Sequence, residues 1–156
     1  MAVNDVAVTT MSATDVVPGL PPVQVVSDAN GSFAIEANFS TSQCTLEANA
    51  PTNPAQRWEF VYFGTDGCAM VIDGPSGLLA LAALPGVNYP QLLPFTWDQS
   101  YLWAVPPMDG AEGISTLRDG SFCLTIENQA VQAGSNIQYY NWKGLDAQQW
   151  TLTPAV

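Results

Sequence analysis

The chain contains no histidine, and that absence removes much of the nucleophile chemistry open to a protein. Ser-His and Cys-His pairs need an imidazole to take the proton from the attacking group. Histidine-dependent zinc sites are excluded as well. The cysteines, Cys44, Cys68 and Cys123, are too few and too scattered for a four-thiolate site. Gly64-Thr65-Asp66-Gly67 has the composition of a turn and lacks the pattern of a phosphate loop. Carboxylates remain, 14 of them, and two that converge can cleave a glycosidic bond. Most surface acids are simply solvated. The expectation is a protein that is not an enzyme and holds no metal or other cofactor.

Charge narrows the partners. Lys and Arg total 3 against 14 Asp and Glu, a net charge of −11. Phosphate backbones and anionic membranes repel such a surface, so nucleic acid is not an expected partner. The longest apolar run, Leu78 to Leu84, is too short to span a membrane. Residues 1–18 have neither the basic start nor the apolar block of a signal peptide. The scarcity of lysine, the Ser/Thr/Gly content and the sequons at Asn30 and Asn38 nevertheless have a secreted character. Secretion is the expectation, with a cytoplasmic location left open.

The elements that must position any site are short strands. Trp58, Trp103 and Trp150 recur 45 and 47 residues apart, and each closes a similar phrase: Gln56-Arg57-Trp58, Tyr101-Leu102-Trp103 and Gln148-Gln149-Trp150. A period in this range marks repeated supersecondary units that bury their apolar faces against one another. Within each unit, runs such as Phe33-Ala34-Ile35-Glu36 and Ile137-Gln138-Tyr139-Tyr140 alternate with period two between Gly, Pro, Asn and Ser. Ile137 and Tyr139 are expected to face inward, Gln138 and Tyr140 outward. Twelve prolines cut the chain too often for long helices. Trp97 and Trp142 occupy matching places after Leu92-Leu93-Pro94-Phe95 and Ile137-Gln138-Tyr139-Tyr140. The chain reads as all-β, with about four strands per repeat.

Three repeats ending in Gln-x-Trp resemble the ricin-type β-trefoil lectins over residues 19–156. The match is closest in the third repeat; in the second, Tyr101 replaces the glutamine. The resemblance implies three pseudo-symmetric four-stranded repeats, about 19–62, 63–107 and 108–156. They would form a six-stranded barrel capped by hairpins, with residues 1–18 as an amino-terminal arm. It also implies glycan binding, of galactose or N-acetylgalactosamine type. Such a site needs a carboxylate for sugar hydroxyls, a ring for the apolar face of the pyranose, and amides for orientation.

Carried onto this chain, the family's positions are partly eroded. In repeat three Tyr140 is the ring, with Gln138 beside it and Gln148 retained. Thr125 stands at the carboxylate position and Ala147 at the asparagine position, with Glu127 two residues along the strand as a substitute acid. In repeat one Glu36 keeps the acid and Gln56 the amide, while Glu47 replaces the ring. In repeat two the positions become Leu81, Leu93 and Phe95, an apolar set. Cys123 sits where the family often has a cysteine, but Trp142 fills its partner's place. Cys44 and Cys68 can be bridged only if their Cα atoms lie within about 7 Å; otherwise they are buried thiols.

Two functions compete. One is a carbohydrate-binding lectin with its best site in repeat three. The other is a lectin-like trefoil that no longer binds sugar and works through a protein partner, as an accessory subunit or protease inhibitor. The apolar second repeat and the loop Leu84 to Pro90 favour the latter.

Overall fold

A computed structural model describes residues 22–62, 68–84, 86–95, 102–104, 115–116 and 122–155. The arm, the turn at 64–67 and Trp97 lie outside these. The described elements are twelve strands: β1 (Val23–Ser27), β2 (Phe33–Asn38), β3 (Gln43–Ala48), β4 (Glu59–Tyr62), β5 (Cys68–Gly74), β6 (Gly77–Ala82), β7 (Gln91–Pro94), β8 (Leu102–Ala104), β9 (Ser115–Thr116), β10 (Phe122–Ile126), β11 (Ile137–Asn141) and β12 (Trp150–Pro154). Short 3-10 turns occur at Pro54–Gln56, Glu127–Gln129 and Asp146–Gln148. The chain is all-β, and among the described residues no helix is long and apolar enough to cross a membrane.

Every pairing is antiparallel, and the pattern recurs. β2–β3, β6–β7 and β10–β11 are hairpins. β1–β2, β5–β6 and β9–β10 join each first strand to the next. β4–β5, β8–β9 and β12–β1 join one repeat to another. Within repeats, Val23 and Trp58 exchange backbone hydrogen bonds of 2.8 and 2.9 Å, and β5 pairs with β8 at Cys68–Trp103.

Polar side chains shape the turns. Ahead of β3, Asn38 Oδ1 accepts from the backbone N–H groups of Ser40 (3.1 Å) and Thr41 (3.3 Å). An asparagine oxygen that imitates a backbone carbonyl in this way closes a tight turn locally. Ser42 then takes φ 58°, a left-handed conformation uncommon outside glycine.

Trp58, Trp103 and Trp150 are wholly buried in one central cluster with Ile35, Leu46, Met70, Ile72, Leu81, Leu124 and Ile126. Each indole N–H donates to a carbonyl on the second strand of its own repeat: Trp58 to Ile35 (3.2 Å), Trp103 to Leu81 (2.9 Å) and Trp150 to Leu124 (3.1 Å). A buried indole needs such an acceptor. The three carbonyls therefore define equivalent positions, and the hairpin registers carry the equivalence outward.

A further set of bonds links the hairpins in a cycle. Leu46 N–H donates to Ser135 O (2.7 Å), Leu92 N–H to Ser42 O (2.7 Å) and Tyr139 N–H to Asn88 O (2.9 Å). In each case the donor lies four residues after the acceptor's counterpart in its own repeat. Repeat one thus leans on three, two on one, and three on two. Tyr139 adds a second link by donating its hydroxyl to Leu84 O.

The thiols of Cys44, Cys68 and Cys123 are free and buried, so the structure has no Cys44–Cys68 bridge. Burial pushes the Cys68 thiol up to about 12 and raises Cys44 as well. Cys123 is raised by burial, partly offset by its contact with Thr125.

Candidate functional site

In the β10–β11 hairpin Thr125 lies opposite Gln138, and Cys123 opposite Tyr140. Directly opposed residues of an antiparallel pair share a face, as do alternate residues along one strand. Thr125, Gln138, Tyr140 and Cys123 therefore occupy one face, while Leu124, Ile126 and Ile137 point to the core. Gln138 is half-buried, and Tyr140 stands 45% exposed above Cys123 and Thr125, both buried.

Gln148 anchors this face from below. Its Oε1 accepts from Lys143 N–H (2.8 Å) and Leu145 N–H (3.4 Å), and its Nε2 donates to Asn141 O (2.7 Å) and Thr125 Oγ1 (3.3 Å). Gln56 does the same in repeat one. Its Oε1 accepts from Ala50 N–H (2.9 Å) and Gln24 Nε2 (2.9 Å), and its Nε2 donates to Ala48 O (2.9 Å) and Glu36 Oε1 (3.0 Å). An amide has two donor hydrogens and two acceptor lone pairs. Both glutamines, fully buried, thus have all four positions taken by the protein. They set the geometry of the face and present nothing outward.

Glu127 does not join the Tyr140 face. The strand ends at Ile126, and a 3-10 turn begins at Glu127 with Asn128 at φ 58°. That breaks the alternation on which the substitute-acid assignment rests. The carboxylate instead accepts from Tyr89 Oη and from Asn136 Nδ2 (3.1 Å). The hydrogen bond to Glu127, with burial and the carboxylate's charge, raises the Tyr89 hydroxyl above its ordinary value.

Glu36 is half-buried on the corresponding face of repeat one. Its Oε1 accepts from Asn53 Nδ2 (2.8 Å) as well as from Gln56, so Asn53 is a polar member of this cluster that the motif reading missed. Glu47, at the ring position, accepts from Thr45 Oγ1 (2.7 Å). Repeat one has an acid and amides but no ring.

In repeat two Leu81 lies beneath Trp103, so Ala82, not Leu81, matches Glu36 and Thr125. The β6–β7 register pairs Ala80 with Leu93 and Ala82 with Gln91. Leu93 therefore corresponds to Tyr140. Continued one residue past each strand, the register matches Phe95, rather than Trp97, with Trp142. Trp142, like Tyr140, is a large apolar side chain left exposed, at 46%. Beneath the repeat-two face lies a second apolar cluster of Val61, Ala69, Val71, Ala80 and Ala82, against which Leu78, Leu84, Leu93 and Phe95 pack.

No described group of His, Cys, Asp or Glu could hold a metal ion. A small cleft of about 220 Å³ is lined by Pro22, Pro54, Arg57, Glu59 and Asp73.

Scanned against protein-family models and against curated protein sequences, the chain matches none. Its fold does match solved structures. The designed three-fold symmetric protein ThreeFoil superposes with a TM-score of 0.70 at 21% identity, over 85% of this chain and 97% of that one. The C-terminal half of an earthworm R-type lectin, solved with GalNAc, gives 0.64 at 19% identity, over 86% and 99%. A mosquitocidal holotoxin gives 0.74 at 13% identity, with 90% of this chain matching 18% of the toxin. At these identities the likeness establishes the fold alone: an all-β arrangement shared with R-type lectins and with a protein built on three-fold symmetry.

Proposed function

We propose that the chain is a non-catalytic carbohydrate-binding protein, a β-trefoil whose working face is the β10–β11 hairpin of repeat three. The observation that carries this reading is Tyr140, exposed beside Gln138 on a face held rigid by the buried Gln148–Thr125 pair. A ring with polar neighbours suits a pyranose, which has one apolar face and an edge of hydroxyls. The GalNAc complex of the similar earthworm lectin supports a galactose or N-acetylgalactosamine ligand. Thr125 contributes by holding Gln148, and Glu127 by fixing the neighbouring loop through Tyr89. In repeat one Glu36 would be the ligand-facing acid of at most a weaker polar site, with Gln56 holding it from beneath.

The same reading closes the strands into a six-stranded barrel. β12–β1–β4–β5–β8–β9 run in sequence through their pairings, and the reading requires β9 to meet β12 to complete the ring. Repeat boundaries at 19–62, 63–107 and 108–156, with an arm at 1–18, go with it, and the composition favours an extracellular over a cytoplasmic location. Fractionation of the source culture tests the last of these.

A glycan array followed by titration with galactose and N-acetylgalactosamine tests the function. Binding that falls about tenfold in Tyr140→Ala, equivalent to about 1.4 kcal/mol, is expected. An array silent at millimolar sugar sinks the reading. The apolar face of repeat two favours a second one, a scaffold acting through a protein partner. Co-purification from the source and a protease-inhibition panel test it, and a chain that stays alone and inhibits nothing rejects it.

A further inference from the structure

Trp142 has no part in the reading so far, yet the structure treats it unusually. With Tyr140 it is one of two large apolar side chains exposed among the described residues. The corresponding residue elsewhere is put to other use. In repeat one it is Asn49, whose Oδ1 accepts from Gln24 (2.7 Å) and whose Nδ2 donates to Gly31 O (3.3 Å). In repeat two it is Phe95, packed with Leu93 against the second cluster. The fold therefore offers this position a polar tether or an apolar floor. Repeat three supplies neither, because Cys123, Thr125 and Gln148 lie beneath Tyr140.

The backbone around Trp142 is nevertheless fixed. Gln148 donates to Asn141 O (2.7 Å) and accepts from Lys143 N–H (2.8 Å), gripping the residues on either side. A ring presented on a clamped backbone loses little entropy when it docks. In repeats one and two the hairpin ladder runs one residue past the strand, Asn49 N–H donating to Ser32 O (2.8 Å) and Phe95 N–H to Leu78 O (3.1 Å). The same continuation past β11 puts Trp142 two residues from Tyr140 on the same side, about 6–7 Å along. Gln138, half-buried, sets an amide on the same face as the rings.

We infer that Tyr140 and Trp142 form one stacking platform for a glycan segment of at least two sugar rings, with Trp142 setting the preference for oligosaccharide over single sugar. This rests on the glycan reading of repeat three. The acid position of this face is held by Thr125, and both oxygens of Glu127 are engaged. Hydroxyl recognition of a lone terminal sugar is correspondingly poor, and affinity must come from stacked area. Area grows with the number of rings covered.

Calorimetric titration of the full chain with galactose and with the β-linked galacto-oligosaccharides of two, three and four rings tests the inference. Affinity should rise about tenfold between one ring and three, equivalent to about 1.4 kcal/mol. Trp142→Ala should abolish that rise while leaving galactose binding within about twofold, a shift of about 0.4 kcal/mol. Trp142→Phe should retain most of it, and circular dichroism should be unchanged in both. Equal affinity for one ring and three overturns the inference, as does an Ala variant that weakens both ligands equally or changes only self-association. A wild-type chain that binds no glycan overturns the underlying reading of repeat three instead.

Discussion

Repeats two and three place the same hairpin in two environments. Leu93 and Phe95 occupy the positions of Tyr140 and Trp142, and Ala80 and Ala82 those of Cys123 and Thr125. In repeat two the floor is apolar, and Val61 and Val71 extend it into a second small core. In repeat three the floor is a satisfied polar pair, Thr125 and Gln148, and the rings above it stand in solvent. The backbone is common to both, so what each face does is decided by what lies under it. An apolar floor draws the outer residues down and converts the face to stability. A buried amide network leaves them outside and available.

The comparison can be broken at several points. The largest effect belongs to the centre that both repeats share. Trp150→Ala removes a fully buried indole and orphans Leu124 O, and should cost about 3–5 kcal/mol in urea unfolding. Trp142→Ala should stay within about 0.5 kcal/mol. A comparable loss would mean that Trp142 is packed like Phe95. Next is Gln148→Ala, which strands Asn141 O and the N–H groups of Lys143 and Leu145. A loss of about 2–3 kcal/mol is expected, and an unchanged midpoint would deny that the amide supports the face. Smaller is the difference between the hairpins themselves. Leu93→Ala should cost about 1–2 kcal/mol, in proportion to the area it buries, whereas Tyr140→Ala should be close to neutral in stability. Equal costs would erase the contrast.

The smallest effect comes from pH. Cys68, on the first strand of repeat two, holds its proton up to about 12 in the folded chain, against an ordinary value of 9.0. Below pH 9 the thiol is protonated in both states. Above it the unfolded chain releases the proton first, so stability must fall as pH rises. The slope is at most about 1.4 kcal/mol per pH unit for this thiol, under about 1 kcal/mol at pH 9.5. Cys68→Ala should flatten that part of the urea midpoint's pH profile. A profile unchanged by the substitution would mean that the thiol is wetter than its burial implies.

The tryptophan period was legible because a buried indole with a fixed carbonyl partner tolerates few substitutes, so its spacing survives in the residue pattern. The hairpins were legible from alternation, and Tyr140 as an outward ring followed from them. Repeat two was harder. Leu78 to Leu84 is apolar on both faces because both are covered, and such a run carries no parity. Only packing separates Leu81 from Ala82: the first joins the central cluster and the second the smaller one. Alternation assigns no face to Glu127, which lies one residue beyond the strand in a turn that Asn128 opens. The motif points Gln56 and Gln148 toward a ligand, and only burial shows how fully neighbouring backbone and side chains occupy them. Trp142 reads in sequence as the replacement of a cysteine partner, and only its exposure marks it as a ring in solvent.

The cyclic bonds between Leu46, Leu92 and Tyr139 and the turns at Ser135, Ser42 and Asn88 have a consequence for how the molecule comes apart. In an open solenoid the terminal unit can fray while the rest persists. A closed triangle has no terminal unit, and removing any corner deprives both others of a neighbour. Loss of structure should therefore be all-or-none, and a protease that nicks one hairpin should leave no stable two-thirds fragment behind.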